Sequence, residues 1–338
     1  MTSVGITGTG IYVPEKKLTN EWFQQFPLLP VDALLDDSGI EERHVCAPGE
    51  TGADLESKAL LDAVANAGIS IEDVELILVG SAIQDQPMPG NAAMVQFKSG
   101  AINAAAINVE SACTSLLSQM TVAYGLIKAG VYKTIACIAS ATWTATADYT
   151  EKNCMLLGDG AAALILQPVS EGKGILGVHL ETDGSCWGAL GCNYRLPRQL
   201  LLDYQAGNYL GGGREKIYFY VDRKGGGVDE IKKTGPVKTP QAIRKALNKA
   251  GYCESDLDFL ICHNPTVILV EAWLKELNVS KDKTHLTIQK YGNMSGASIG
   301  ANLHEAVRSG KIKDGDLVAM GAPGAGYHYA SVVMRWGK

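Results

Sequence analysis

None of the eight cysteines forms a CxxC pair, and no Cys/His grouping has metal-ligand spacing, so no resident metal is expected. The opening Gly8-Thr9-Gly10 lacks the third glycine of a GxGxxG loop, which argues against a dinucleotide site, and no cofactor is expected. Positive charge is in deficit. With 30 Lys and Arg against 36 Asp and Glu, the net charge of −6 excludes a generally basic surface for nucleic acid. Long apolar runs are also missing. The charge-free stretch from Ser111 to Ile127 carries Ser, Thr and Gln, and it is too short and too polar to span a bilayer. It reads as a helix buried within the protein. No basic n-region followed by an apolar h-region marks a signal peptide. Several cysteines lie inside apolar runs, such as Cys137 in Thr134-Ile135-Ala136-Cys137-Ile138-Ala139. That pattern predicts a reduced, cytoplasmic protein with buried thiols rather than a disulfide framework. Aromatics make up only 7%, whereas glycine is abundant at 38 residues, so tight turns and close backbone approaches are expected.

What is present is an alternation of strand-like and helix-like patterns, which argues for an α/β protein. Strands are predicted over Val4–Thr7, Leu76–Val79, Ala105–Val109, Thr134–Ala139, Ala161–Leu166, Phe259–Cys262, Leu317–Met320 and Ser331–Arg335. Helices are predicted over Ala53–Ala67, Cys113–Gly130, Pro240–Ala250, Val267–Leu277 and Ile299–Ser309. An internal repeat runs through them. Ala67-Gly68 and the run Asp73–Gly80 recur as Ala250-Gly251 and Asp256–His263, both at an offset of 183 residues. The strand after Ala129-Gly130 resembles the one after Ser309-Gly310. The strand after Gly158-Asp159-Gly160 resembles the one after Gly324-Ala325-Gly326. Three matches in one order imply two similar halves, 1–170 and 171–338. An insertion over 184–235, rich in glycine and aromatics, does not fit the repeat and reads as a lid or pocket wall.

Three residues carry the chemistry. Cys113 lies between a strand and the start of a helix, where free N–H groups and the macrodipole favour a thiolate and a lowered pKa. His263 ends a buried strand where the first half has Gly80, and strand ends are where ligands bind in open α/β sheets. Asn293 sits in a turn of small residues, Tyr291–Ser298, that the repeat sets opposite the Cys113 segment.

Together with Glu110-Ser111-Ala112-Cys113, the segments Leu157–Ala163, His263-Asn264-Pro265-Thr266 and Tyr291-Gly292-Asn293-Met294-Ser295 resemble the β-ketoacyl-acyl-carrier-protein synthase III family. So do Gly8–Pro14, Gly39-Ile40-Glu41-Glu42-Arg43-His44 and the ending Gly321–Gly326. The resemblance covers essentially the whole chain apart from its middle. It implies a thiolase-like five-layer αβαβα fold and a homodimer. The implied reaction is capture of an acyl group on Cys113, then decarboxylative Claisen condensation with a malonyl-type thioester, with His263 and Asn293 stabilising the enolate. The donor would be an acyl thioester on acyl carrier protein or coenzyme A. Met88, Thr266 and Gly324 would lie beside the substrate, Met88 reaching the acyl pocket of the neighbouring subunit.

The departures from the family are also informative. Ala33 and Asp37 stand where members using coenzyme A primers carry Trp and Arg. Thr266 replaces an Asn, and apolar residues around Ile268 replace an Arg used in carrier-protein docking. These changes point to fatty-acid or polyketide-like specialised metabolism. They also keep open an alternative in which the acyl group moves from Cys113 to an alcohol or amine without decarboxylation. A non-catalytic subunit is disfavoured by the intact Cys, His and Asn. Gly296-Ala297-Ser298-Ile299-Gly300 fits a GxSxG pattern but reads as packing at a helix start. Glu110 reads as a helix-entry carboxylate, and His304 and His328 as packing or surface residues. Lys232, Lys233, Arg244, Lys245 and Lys249 form a candidate patch for an acidic carrier protein.

Overall fold

The computed structural model describes residues 2–26, 38–147, 152–193, 218–222 and 226–338. Ala33, Asp37 and the centre of the 184–235 insertion lie outside them. Thirteen strands run in chain order: β1 Ser3–Tyr12, β2 Lys17–Thr19, β3 Glu42–His44, β4 Leu76–Ser81, β5 Ala105–Asn108, β6 Ile135–Ala141, β7 Gly160–Val169, β8 Gly174–Thr182, β9 Leu190–Asn193, β10 Tyr218–Val221, β11 Phe259–Cys262, β12 Leu317–Gly324 and β13 His328–Arg335. The helices are α1 Gly52–Ala67, α2 Asn91–Ser99, α3 Ser115–Lys128, α4 Gly227–Ala250, α5 Val267–Glu276, α6 Ile288–Tyr291 and α7 Ala297–Arg308.

One sheet has the order β1-β7-β6-β4-β5 and the other β11-β12-β13-β8. Read from the opposite end, the second is β8-β13-β12-β11, the same arrangement without its last strand. Among the described residues, only a single bridge from Leu260 to Thr284 stands where that strand would lie. Helices α3 and α7 fill the layer between the sheets. Leu116, Leu117, Met120, Ile299 and Leu303 pack there with Leu78, Cys137, Leu164, Ile261, Met320 and Val332 in one core. A second core joins α1 to the outer face of the first sheet, and a third joins α4 and α5 to the outer face of the second. The layers are therefore αβαβα.

Local rules explain why these elements form. Helix α1 starts at a capping box of Thr51 and Asp54 and stops at left-handed Gly68. Its inner face, including Ala59 and Ala63, lies so close to β1 that a Cβ on Gly10 would come within 2.2 Å of the Ala63 nitrogen. The Gly8-Thr9-Gly10 opening is thus a helix–strand contact. Gly10→Ala should destabilise the fold by about 1–3 kcal/mol through overpacking, read as a lower urea midpoint. Helix α4 is longer than the sequence suggests. It begins at Gly227 and carries both Pro236 and Pro240 inside it, whereas the sequence pattern predicts it only from Pro240. Among the described residues, no helix is long and apolar enough to cross a membrane.

Candidate active site

Cys113 sits in a single 3-10 turn, Ala112–Thr114, that leads into α3. Ala112 has φ +53, a left-handed conformation costly for a residue with a side chain. Its counterpart on the other half is Ser295, also at φ +53 and also just before a central helix. The two turns face each other. A Cβ on Gly296 would lie 3.4 Å from the Ala112 carbonyl oxygen and 3.6 Å from that of Cys113. The β12–β13 hairpin closes over both, and a Cβ on Gly324 would lie 2.8 Å from the Ser111 carbonyl oxygen. Glycine there lets the hairpin rest on the cysteine turn.

Two cavities meet at Cys113. The larger, about 410 Å³, is lined on one side by Ser81, Gln84, Asp85, Gln86 and Glu110. The smaller, about 250 Å³, is lined by His263, Thr266 and Gly324 with apolar side chains such as Leu156, Val221, Ile231 and Leu269. No Asp, Glu, Lys or Arg is among the smaller cavity's described lining. Cys113, Leu157, Leu190, Phe219, Asn293 and Ala325 belong to both. The structure therefore brings Cys113, His263, Asn293, Thr266 and Gly324 together. Met88 is 86% exposed and lines neither cavity of its own chain.

Each side chain is held by nearby backbone. Asn293 is fixed on both sides, its N–H donating to the Leu156 carbonyl at 2.8 Å and its own carbonyl accepting from Gly158 N–H at 3.2 Å. Its Oδ1 accepts from the Ser295 N–H at 2.9 Å. That bond orients the amide and leaves Nδ2 as a donor toward the cavities. The His263 N–H donates to the Gly321 carbonyl at 3.0 Å, continuing the β11–β12 ladder, and the ring is buried. Burial lowers its pKa to about 3, against the opposing pull of the Ser295 backbone carbonyl, so the imidazole is neutral. Its Nδ1 has no partner among the described residues. Thr266 caps α5, its Oγ1 accepting from Leu269 N–H at 3.3 Å.

The thiol corrects one expectation. The Cys113 pKa is pushed up to about 11, not down. Burial is the largest cause, and the nearby Glu110 carboxylate adds to it. A hydrogen bond from Ser295 Oγ at 3.3 Å and the backbone N–H groups of Cys113 and Ala325 work in the opposite direction. The helix start supplies the donors, but desolvation outweighs them. Glu110 does accept the Ala112 N–H, as a helix-entry carboxylate would, yet it also faces the larger cavity. That second role was not legible from its position alone.

The remaining motif residues are structural. Arg43 is fully buried and donates to the Leu18 carbonyl at 3.2 Å and to Asn20 at 2.9 Å. Asp159 accepts from Cys46 N–H at 2.9 Å and Thr144 N–H at 3.0 Å. Ser298 accepts from Met294 N–H at 3.1 Å at the start of α7, so the GxSxG match is packing. His304 meets Thr9 at 3.1 Å and His328 meets Thr182 at 2.9 Å; neither lines the two cavities. In the basic patch, Arg244 pairs with Glu254 and Glu276, Lys245 with Glu181, and Lys233 with Glu230. Much of that charge is already neutralised.

Comparisons with known proteins agree with this geometry. The model of 3-oxoacyl-[acyl-carrier-protein (ACP)] synthase III matches residues 107–184, and the model of its C-terminal region matches 247–336. A β-ketoacyl-[acyl-carrier-protein] synthase III of Geobacillus kaustophilus is 34% identical over 335 residues, covering 99% of both chains. One from Clostridioides difficile is 32% identical over 336 residues, again covering 99% of each. Among solved structures, the Thermus thermophilus enzyme of that name superposes with a TM-score of 0.87 at 28% identity, covering 98% of this chain and 99% of its own. The Aquifex aeolicus enzyme gives 0.86 at 27%, covering 98% and 100%.

Proposed function

The chain belongs to the 3-oxoacyl-[acyl-carrier-protein] synthase III family, and from that premise we propose which of its residues perform the condensation. The protein is a condensing acyltransferase: it accepts an acyl group as an enzyme thioester and extends it by decarboxylative Claisen condensation. In our assignment Cys113 Sγ attacks the acyl thioester, the donor thiol leaves with the proton, and the carbonyl oxygen is held by the N–H groups of Cys113 and Ala325. A malonyl thioester then binds on the His263 side. Loss of carbon dioxide leaves its electron pair as an enolate, whose oxygen accepts from Asn293 Nδ2 and the neutral His263 ring. The enolate carbon attacks the acyl carbonyl, the C–S bond breaks, and the Cys113 thiolate is regenerated.

One observation carries this reading: Cys113, His263 and Asn293 share the wall of a small cavity that is otherwise nearly apolar. Low polarity there favours loss of charge from a carboxylate. Across Cys113, the Glu110 carboxylate on the larger cavity repels a malonyl group and leaves that side to the acyl chain. The test follows acyl-enzyme by intact mass and carbon dioxide by a coupled assay in the same samples. Acyl-enzyme turnover by the wild type without carbon dioxide would overturn the reading in favour of acyl transfer to an alcohol or amine.

The remainder of the assignment concerns setting. The sequence divides at 170/171 into its two halves, supported by the shared strand order of the two sheets. The donor is an acyl thioester on carrier protein or coenzyme A, in a specialised pathway. That choice is supported by the paired charges on α4 and the exposed Ile268 in place of a docking Arg. The protein works in the cytoplasm, consistent with its eight free cysteines. It works as a homodimer. Among the described residues strand β5 is an unpaired edge, and Ile107 on it is exposed, as are Ile102, Phe97 and Met88, large apolar side chains of the kind that mark an interface. Light scattering should give twice the chain mass. Met88→Phe should shift acyl preference toward shorter chains in the loading assay, because a rigid ring from the partner would shorten the pocket. A monomer, or an unchanged preference, counts against this arrangement.

A further inference from the structure

We propose that Ser295 is a further catalytic residue, whose hydroxyl stabilises the Cys113 thiolate during acyl loading while its backbone N–H orients the Asn293 enolate donor. The proposal rests on the condensing reading for its loading step and on geometry for the rest. Ser295 is bonded to both Cys113 and Asn293: its Oγ donates to Cys113 Sγ at 3.3 Å and its N–H donates to Asn293 Oδ1 at 2.9 Å.

Its conformation supports a functional role over a packing one. Ser295 is buried and non-glycine, yet it holds φ +53, and the structure retains a hydroxyl there. A glycine would meet the backbone requirement at lower cost and would keep the N–H and the carbonyl. Only the bond to sulfur would be lost. The repeat sharpens the contrast. The equivalent residue beside the nucleophile, Ala112, has the same φ and no polar side chain. In the second half the turn instead aims a donor across the pseudo-twofold at the sulfur of the first. Once Cys113 carries an acyl group, its sulfur is a poor acceptor and the hydroxyl has little left to do. The division of labour follows: the side chain serves loading and the backbone serves decarboxylation.

The variants Ser295→Ala and Ser295→Gly separate these roles. Losing a hydrogen bond to a charged acceptor shifts the thiol–thiolate balance by about ten- to a hundredfold. The more basic thiolate that remains is more nucleophilic, which offsets part of this and leaves a net rate loss of about three- to tenfold. Iodoacetamide alkylation of Cys113 near pH 8, read by peptide mass, should slow by that factor in both variants. Acyl loading should slow likewise. Carbon dioxide release from enzyme loaded beforehand should stay within about twofold of wild type, because the backbone bond to Asn293 persists. Equal alkylation in Ser295→Ala and wild type would overturn the proposal. So would recovery in Ser295→Gly alone, which would trace the loss to backbone strain, or an equal fall in carbon dioxide release, which would indicate a merely structural role. Alkylation needs no substrate. If wild type loads no acyl thioester while the alkylation contrast holds, the condensing reading fails and the role of Ser295 stands.

Discussion

Cys113→Ala should show no acyl adduct by intact mass after incubation with any acyl thioester, whereas Cys137→Ala, Cys154→Ala and Cys262→Ala should load as wild type does. The structure separates the four. Cys137 and Cys262 sit in β6 and β11 with no exposed surface, and burial pushes the Cys262 pKa up to about 12 with no opposing donor. Cys154 packs with Phe23 and Val45 and lines neither cavity. Cys113 alone among them has cavities on both sides and a hydroxyl, Ser295 Oγ, donating to its sulfur. Its raised pKa gives the experiment a second dimension. Only a small fraction is thiolate at neutral pH, and that fraction grows about tenfold per unit until the pH approaches about 11. Loading should therefore climb with pH across the neutral range. His263 contributes no step there, since it is already neutral above about 3. An adduct persisting in Cys113→Ala would remove the nucleophile from this account.

The second large effect is a split between the two half-reactions. Asn293→Ala should still form acyl-enzyme but release carbon dioxide from a malonyl thioester at least about a hundredfold more slowly. Removing one donor to a developing oxyanion typically costs about 10²–10³ in rate. The split follows from the geometry. Loading uses backbone N–H groups at Cys113 and Ala325, which the substitution leaves in place. Decarboxylation uses the amide that Ser295 N–H holds in orientation. His263→Ala should show the same pattern. Its loading should be spared too, because a ring held neutral at a pKa near 3 is too weak a base to deprotonate the thiol. Equal loss of loading and decarboxylation in either variant would mean the two side chains do not belong to separate steps.

How much of this was legible beforehand depended on how local the determinants are. Strand β11 was predicted at its observed bounds because Phe259–Cys262 is a short apolar run with a polar turn before it. Cys113, His263 and Asn293 were legible because the repeat and the family motifs both mark them. Helix α4 starts earlier than the sequence pattern predicts, because packing against the second sheet carries the helix through Pro236 and Pro240. The direction of the Cys113 pKa was misread because burial is a property of the assembled core, while the helix start is visible in the sequence. Ser295 escaped notice for a similar reason: its bond to Cys113 spans 182 positions and exists only once the two halves face each other.

The mismatch between the two sheets bears on how copies of the chain can join edge to edge. The first ends at β5 with an open row of backbone donors and acceptors, and the second has its matching edge stopped by Thr284, whose hydroxyl donates to the Leu260 carbonyl at 2.7 Å. Strand β11 behind that stop is wholly buried. In the homodimer proposed above, joining β5 to β5 would consume that edge of each copy by a twofold operation. Had the second sheet kept a fifth strand, each chain would have offered a further edge of the same kind, through which the contact could have propagated head to tail. Among the described residues, the strand missing from the second half therefore removes one route to a filament.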